Sequence, residues 1–181
     1  MKGMVFRSLV EHMEGSFGLE VTDTVLSAAE LPSGGAYTNV GVYDHTEILQ
    51  IVTHLSQQTG VEAAALVDSF GEYLFGKLVE AHPEFVEEQS DLFTFLEQIE
   101  TVIHVNVRRL YPEAELPRFH CSRVQDGPMT LIYQSHRPFA GLVPGLVRGA
   151  SAHFGQPVSI DHQPLAPGDG THARFVVTRR G

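Results

Sequence analysis

"EQIETVIHVNVRRLYPEAELPRFH", residues 97–120, sets one histidine, His104, among Val102, Ile103, Val105 and Val107, with Tyr111 and Pro117 to follow. An imidazole in such company either satisfies both ring nitrogens with protein partners or binds something. The stretch reads as the end of a helix running from about Asp91 to Tyr111. Its main apolar face carries Leu92, Phe95, Leu96, Ile99, Val102, Ile103 and Leu110. At about 100° per residue, His104 lies about 140° from the centre of that stripe. Val107, Tyr111 and Phe93 share its side, so the helix is apolar or aromatic nearly all round from Val102 onward. That pattern predicts cover on both sides. Periodicity alone is neutral on whether one cover is a ligand.

Upstream, helical spacing dominates. Val5, Leu9 and Met13, with Phe6 and Val10 beside them, share one face until Gly15 and Gly18 break the pattern. "LPSGGAYTN" (31–39) is a loop by its Pro, Ser and Gly content. "DHTEILQIVTHLSQQTG" (44–60) opens on an N-cap at Asp44 or Thr46 and closes at Gly60. The next helix carries Leu66, Phe70, Leu74 and Leu78 four apart, a stripe facing a core or a ligand that replaces core, and Pro83 closes it.

After Pro112 the composition turns strand-like. "LPRFHCSRV" (116–124), "PMTLIYQSHR" (128–137), "PVSIDHQP" (157–164) and "HARFVVTRR" (172–180) are separated by QDG and PGDG turns. Between the second and third, "PFAGLVPGLVRGASAHFG" (138–155) is helical in spacing but loosened by Pro144 and its glycines. The chain is therefore expected to be α+β, a helical N-terminal part followed by a β-β-α-β-β part.

Composition narrows the function. The 181 residues suit a single domain, and 43% hydrophobic residues suffice for a core. Twenty-two acidic against twelve basic side chains give a formal charge of −10, which repels phosphate backbones and argues against nucleic acid. No apolar run reaches the roughly 18 residues of a membrane helix, and "MKGMVFRSLVEHMEG" lacks signal-peptide character, so a cytoplasmic location is expected. One cysteine, Cys121, excludes an internal disulfide and a multi-cysteine metal site. The ten histidines form no His-Glu-x-x-His and no zinc-like spacing.

Alternation along the second strand puts Tyr133, Ser135 and Arg137 on one face. Together they offer a phenol, an alcohol and a guanidinium, donors suited to one or two carboxylates. From these residues alone, an exposed polar row on an edge strand is the commoner reading.

The chain resembles the haem-nitric oxide/oxygen binding (H-NOX) family, the haem domain shared by bacterial gas sensors and soluble guanylate cyclases. The start "MKGMVF" is similar to the family's N-terminus. Twelve residues separate His104 from Pro117 and fifteen separate Pro117 from Tyr133, the family's spacing. "YQSHR" fits its Tyr-x-Ser-x-Arg signature, and the likeness continues through "DSFGEYLFGKL" and the C-terminal strands. The resemblance implies one H-NOX domain over 1–181. A helical distal subdomain would span about 1–60. A proximal subdomain with an antiparallel four-stranded sheet would span about 61–181, with haem b between them. It implies His104 as the axial iron ligand, Tyr133, Ser135 and Arg137 on the propionates, and Pro117 distorting the porphyrin. Val5, Leu9, Leu74, Leu78, Leu142 and Leu146 would line the haem pocket.

The resemblance also bears on the gas. Members that hold O₂ carry a distal tyrosine with polar support. Here that position falls on Leu142, and the supporting positions fall on Leu9 and Leu74, with Tyr73 as the neighbouring residue able to upset the reading. A hydrogen bond to a strongly polarised acceptor contributes about 1.5–3 kcal/mol, so its loss lowers affinity roughly ten- to a hundredfold. NO and CO are thus the expected ligands, with NO weakening the iron–His104 bond so that its helix is released and the porphyrin relaxes away from Pro117. The partner implied is a histidine kinase or a cyclic-di-GMP enzyme acting in trans. The rivals are an O₂-binding or redox-sensing haem protein, a metal-dependent enzyme using dispersed histidines, and a haem-free interaction module. The cysteine cluster of some relatives is missing, so His162 and His172 read as surface residues and Cys121 as a small buried hydrophobe.

Overall fold

Glycine and aspartate punctuate the helices of the computed structural model, which describes residues 1–124 and 127–180. The expected QDG turn therefore falls largely outside the described residues. Helix α1 (Gly3–Phe17) runs through Gly15 and ends only at Gly18, whose φ of 83° suits a residue without a Cβ. Helix α2 (Leu19–Ala28) follows at once. Asp44 accepts from the Thr46 N–H at 2.9 Å at the start of α3 (Thr46–Thr59), and Gly60 in the left-handed conformation ends it. Helix α4 (Ala63–Ala81) stops at His82, and Pro83 leads into a short α5 (Glu84–Glu87) that periodicity had not suggested.

Asp91 caps α6 (Leu92–Gln98) by accepting from the Phe93 and Thr94 N–H groups. The helix then widens into a π turn, Ile99–Ile103, before α7 (His104–Leu110). All four expected strands form: β1 (Arg118–Arg123), β2 (Met129–Gln134), β3 (Val158–Pro164) and β4 (His172–Arg179). They make one antiparallel sheet in the order β1-β2-β4-β3. The crossover between β2 and β3 is α8 (Leu142–His153).

Helix α8 departs from the loosened segment that its composition suggests. Pro144 sits in its first turn, where a missing N–H costs little. The glycines bring helices together. A Cβ on Gly145 would lie 1.9 Å from the Asp68 carbonyl, and one on Gly71 would lie 2.4 Å from that of Leu142. Arg148, reaching Asp68 and Glu72, closes the same contact from outside.

Two apolar clusters result. The first joins α1–α3 to Leu66, Phe70 and Leu74 of α4 and includes Phe6, Met13, Ile51 and Leu55, all nearly or fully inaccessible. The second packs Phe75, Leu92, Phe93 and α8 against Met129, Leu131, Tyr133, Phe175 and Val177 on the inner sheet face. Helix α4 belongs to both. Among the described residues no helix is long and apolar enough to cross a membrane.

Candidate functional site

A cavity of about 590 Å³ opens where the two clusters meet. Its walls come from the start of α1 (Val5), from α4 (Leu74, Leu78), from the π turn and α7 (Ile99, Ile103, Val107), from α8 (Leu142, Leu146) and from the sheet (Phe119, Leu131). That volume lies within the roughly 300–1,000 Å³ typical of sites for small molecules and cofactors. Leu78 is 37% exposed although its stripe-mates Leu66, Phe70 and Leu74 are buried, because its side of α4 faces the void.

His104 stands in this apolar wall. Its Nδ1 lies 3.0 Å from Glu100 Oε2, while Nε2 has no hydrogen-bond partner among the described residues. Burial holds the imidazole below its usual pKa, and Glu100 only partly offsets this. The ring is thus neutral at neutral pH, the form that binds metals. Glu100 also accepts from the Phe119 N–H at 3.2 Å and faces Arg108 at 3.5 Å. Burial raises its carboxyl, but those hydrogen bonds and Arg108 hold it below the usual range.

Tyr133, Ser135 and Arg137 also line the cavity, with one correction to the expected geometry. Strand β2 ends at Gln134, so the three do not form a straight strand row. The Ser135 hydroxyl accepts from the Arg137 N–H at 3.0 Å and turns the chain, bringing the guanidinium to the cavity's rim. There Arg137 pairs with the Glu115 carboxylate and donates to the Glu115 carbonyl at 3.2 Å. Tyr133 is 3% exposed, with its ring 5.5 Å from that of Phe119. Pro117 lies in the same lining, two residues before Phe119.

One expected pocket residue is misplaced. Leu9, one turn beyond Val5 on α1, does not line the cavity. It is 2% exposed within the first cluster, because α1 enters the cavity wall only by its first turn. Tyr73 does not reach the cavity either, lying 4.8 Å from the His12 ring and beneath Lys77. The wall made by Val5, Leu74, Leu78, Leu142 and Leu146 is therefore hydrocarbon.

Two participants escaped the sequence reading. Glu100 was legible in principle, since a carboxylate four residues before a helical histidine shares its face. Glu115 had no local signal. Cys121 is half-buried; burial pushes its thiol up to about 11, and Sγ donates to the Leu96 carbonyl at 3.3 Å. His162 is exposed and stacks on Phe175 at 4.7 Å, and His172 is half-buried beside the Thr171 hydroxyl. No group of three His, Cys, Asp or Glu side chains among the described residues converges on a common point.

An apolar slot with the unpartnered His104 Nε2 in its wall and an arginine at its rim now has a match. The model of a family described as haem-NO-binding covers residues 2–162. The chain belongs to the haem-NO-binding family. Its members bind haem and act as gas sensors rather than enzymes. The Fe(II) unliganded H-NOX protein from K. algicida is 32% identical, covering all of this chain and 97% of that one, with a TM-score of 0.93. The S. oneidensis H-NOX protein in the Fe(II)NO state is 26% identical, with all of both chains covered and a TM-score of 0.91. An IWP-051-bound H-NOX from Shewanella woodyi in the Fe(II)CO state is 45% identical, covering 99% of this chain and 95% of that one, with a TM-score of 0.83. Among curated proteins, none matches the chain.

The residues present fit the family's cofactor. A flat apolar macrocycle needs hydrocarbon walls, its iron needs a neutral nitrogen, and its acid groups need a cation. Arg137 already holds a carboxylate, that of Glu115, at the rim.

Proposed function

We propose that this protein senses nitric oxide through haem b (iron protoporphyrin IX) and signals in trans to a separate cytoplasmic partner, a histidine kinase or a cyclic-di-GMP enzyme. The observation that carries the reading is the pairing of His104, whose Nε2 is unclaimed, with a hydrocarbon wall across the same cavity. When bound, haem would supply a ferrous iron able to bind an imidazole nitrogen and a diatomic gas.

The chain's own residues do the rest. His104 presents Nε2 from the first residue of α7. Tyr133, Ser135 and Arg137 would hold the acid groups at the rim, for which Arg137 would exchange Glu115 for a propionate. Pro117, in the segment before β1, would lie against the macrocycle. Val5, Leu74, Leu78, Leu142 and Leu146 exclude water and offer no donor, so a gas that depends on a hydrogen bond is disfavoured while NO and CO are not. Because the His104 helix also carries Glu100, which is bonded to β1, a change in its position reaches the sheet.

Absorption spectra of ferrous protein, recorded anaerobically and then with NO, CO and air, test this. The expected result is shifted haem bands with NO and CO and an unliganded spectrum in air. A stable oxy spectrum overturns the choice of gas, and protein that takes up no haem overturns the reading altogether.

A further inference from the structure

Glu100 belongs to no signature of the sequence, yet its carboxylate sits at a junction. On one side it is 3.0 Å from His104 Nδ1. On a second it accepts from the Phe119 N–H, 3.2 Å away in β1 and nineteen residues on. On a third it faces Arg108 at 3.5 Å, one further turn along α7. An ionised carboxylate only accepts hydrogen bonds. Its neighbour Nδ1 must therefore carry the proton, which leaves the lone pair on Nε2, the nitrogen without a protein partner.

We propose that Glu100 is the positioning residue of the axial imidazole. Its carboxylate selects the tautomer with Nε2 free, strengthens that nitrogen as a ligand, and ties the ring to β1 through the Phe119 amide. The role rests on His104 being the iron ligand, as proposed above. Three features of the geometry support it. Glu100 lies within the π turn and His104 directly follows it, so the pair fixes the ring where the helix is least regular. The His104 side chain is only 11% exposed, so water cannot easily replace the carboxylate at Nδ1. Phe119 donates its N–H to Glu100 and places its ring 5.9 Å from the imidazole, so β1 touches both members of the pair. A carboxylate behind a ligating histidine raises its basicity, and losing such a partner typically lowers metal affinity by about 10- to 100-fold.

Glu100→Gln and Glu100→Ala provide the test, read in two forms of the protein. In haem-free protein, nitrogen NMR of His104 should report one tautomer, Nδ1–H, in the wild type and a mixture in Glu100→Ala. Hydrogen exchange at the Phe119 amide should be faster in the same variant. In haem-loaded ferrous protein, the iron–histidine stretching band in the Raman spectrum should move to lower frequency in Glu100→Gln and further in Glu100→Ala. Haem affinity should fall by roughly one to two orders of magnitude. Glu100→Gln retains an amide oxygen for Phe119 and keeps the proposal testable should Glu100→Ala fold poorly. A tautomer ratio and a stretching band unchanged by both variants overturn the role of Glu100. A wild type with no iron–histidine band instead overturns the assignment of His104, so the two failures are distinct.

Discussion

The first apolar cluster and the walls of the cavity use the same kinds of side chain to opposite ends. In the first, Phe6, Tyr37 and Tyr43 close on one another with ring centroids 4.7–5.4 Å apart, and Ile51 and Leu55 are inaccessible. Around the cavity, Leu78, Ile103 and Leu146 present comparable apolar surface to an opening. Each region also has a helical histidine. His12 stacks 4.8 Å from Tyr73 and pairs its Nε2 with the Ser69 hydroxyl at 3.1 Å. His104 keeps its Nε2 unclaimed. A core that ends in a hole, with a polar atom left unpartnered at its edge, is a core completed by something else.

Exchanging the two histidines' fates gives the largest contrast. His104→Ala should lose the normal ferrous haem spectrum, with partial recovery when free imidazole is added. His12→Ala should leave that spectrum in place. An unchanged spectrum in His104→Ala erases the distinction between the regions.

Stability of the haem-free protein gives the next contrast. Phe6→Ala empties a closed site and should cost about 3–5 kcal/mol in urea unfolding. Leu78→Ala removes a side chain that already borders the void, so no new cavity is made and the cost should be about 1 kcal/mol or less. Its effect should appear instead as weaker haem binding. Equal losses in the two variants would mean that the cavity closes in the absence of its cofactor.

The contrast explains how much the sequence disclosed. The four strands and most helix ends were legible because turns and caps are local. The walls of a cavity and the walls of a core obey one periodicity, so Leu74 and Leu78 could not be told apart before the fold was in view. The His104 helix was misread for a definite reason. Its expected stripe included Val102 and Leu110, which are 39% and 53% exposed, while Val107 and Tyr111, expected on the opposite side, face the cavity together with Ile103. The π turn holds one extra residue, which rotates everything after it by about 100° relative to a regular α-helix. The near-continuous apolar girth after residue 102 was the trace of that shift. Arg137 lines the cavity, but it reaches the rim by a serine-closed turn beyond the strand rather than along a strand row. The resemblance implies Leu9 in the pocket beside Val5, whose helix face it shares, yet only the first turn of α1 meets the cavity.

The smallest expected effect concerns His12 and proton binding. Burial lowers its pKa from the ordinary value near 6.5, and nothing acidic opposes the shift. Below about pH 6.5 the unfolded chain therefore binds a proton at this site that the folded chain resists. The stability conferred by the neutral, buried ring is complete above that pH. It is lost as pH falls toward the folded-state value. His162, partly covered by Phe175, is lowered by that desolvation with Asp68 opposing, and adds to the same slope. Urea unfolding of haem-free protein at pH 7.5 and pH 5.5 should show a drop on acidification that is smaller in His12→Gln, which cannot titrate. Comparing each variant with itself across pH removes the loss of ring stacking from the measurement. An identical drop in both proteins would mean that His12 takes up its proton without leaving the fold, and that the first cluster is less closed around it than its contacts indicate.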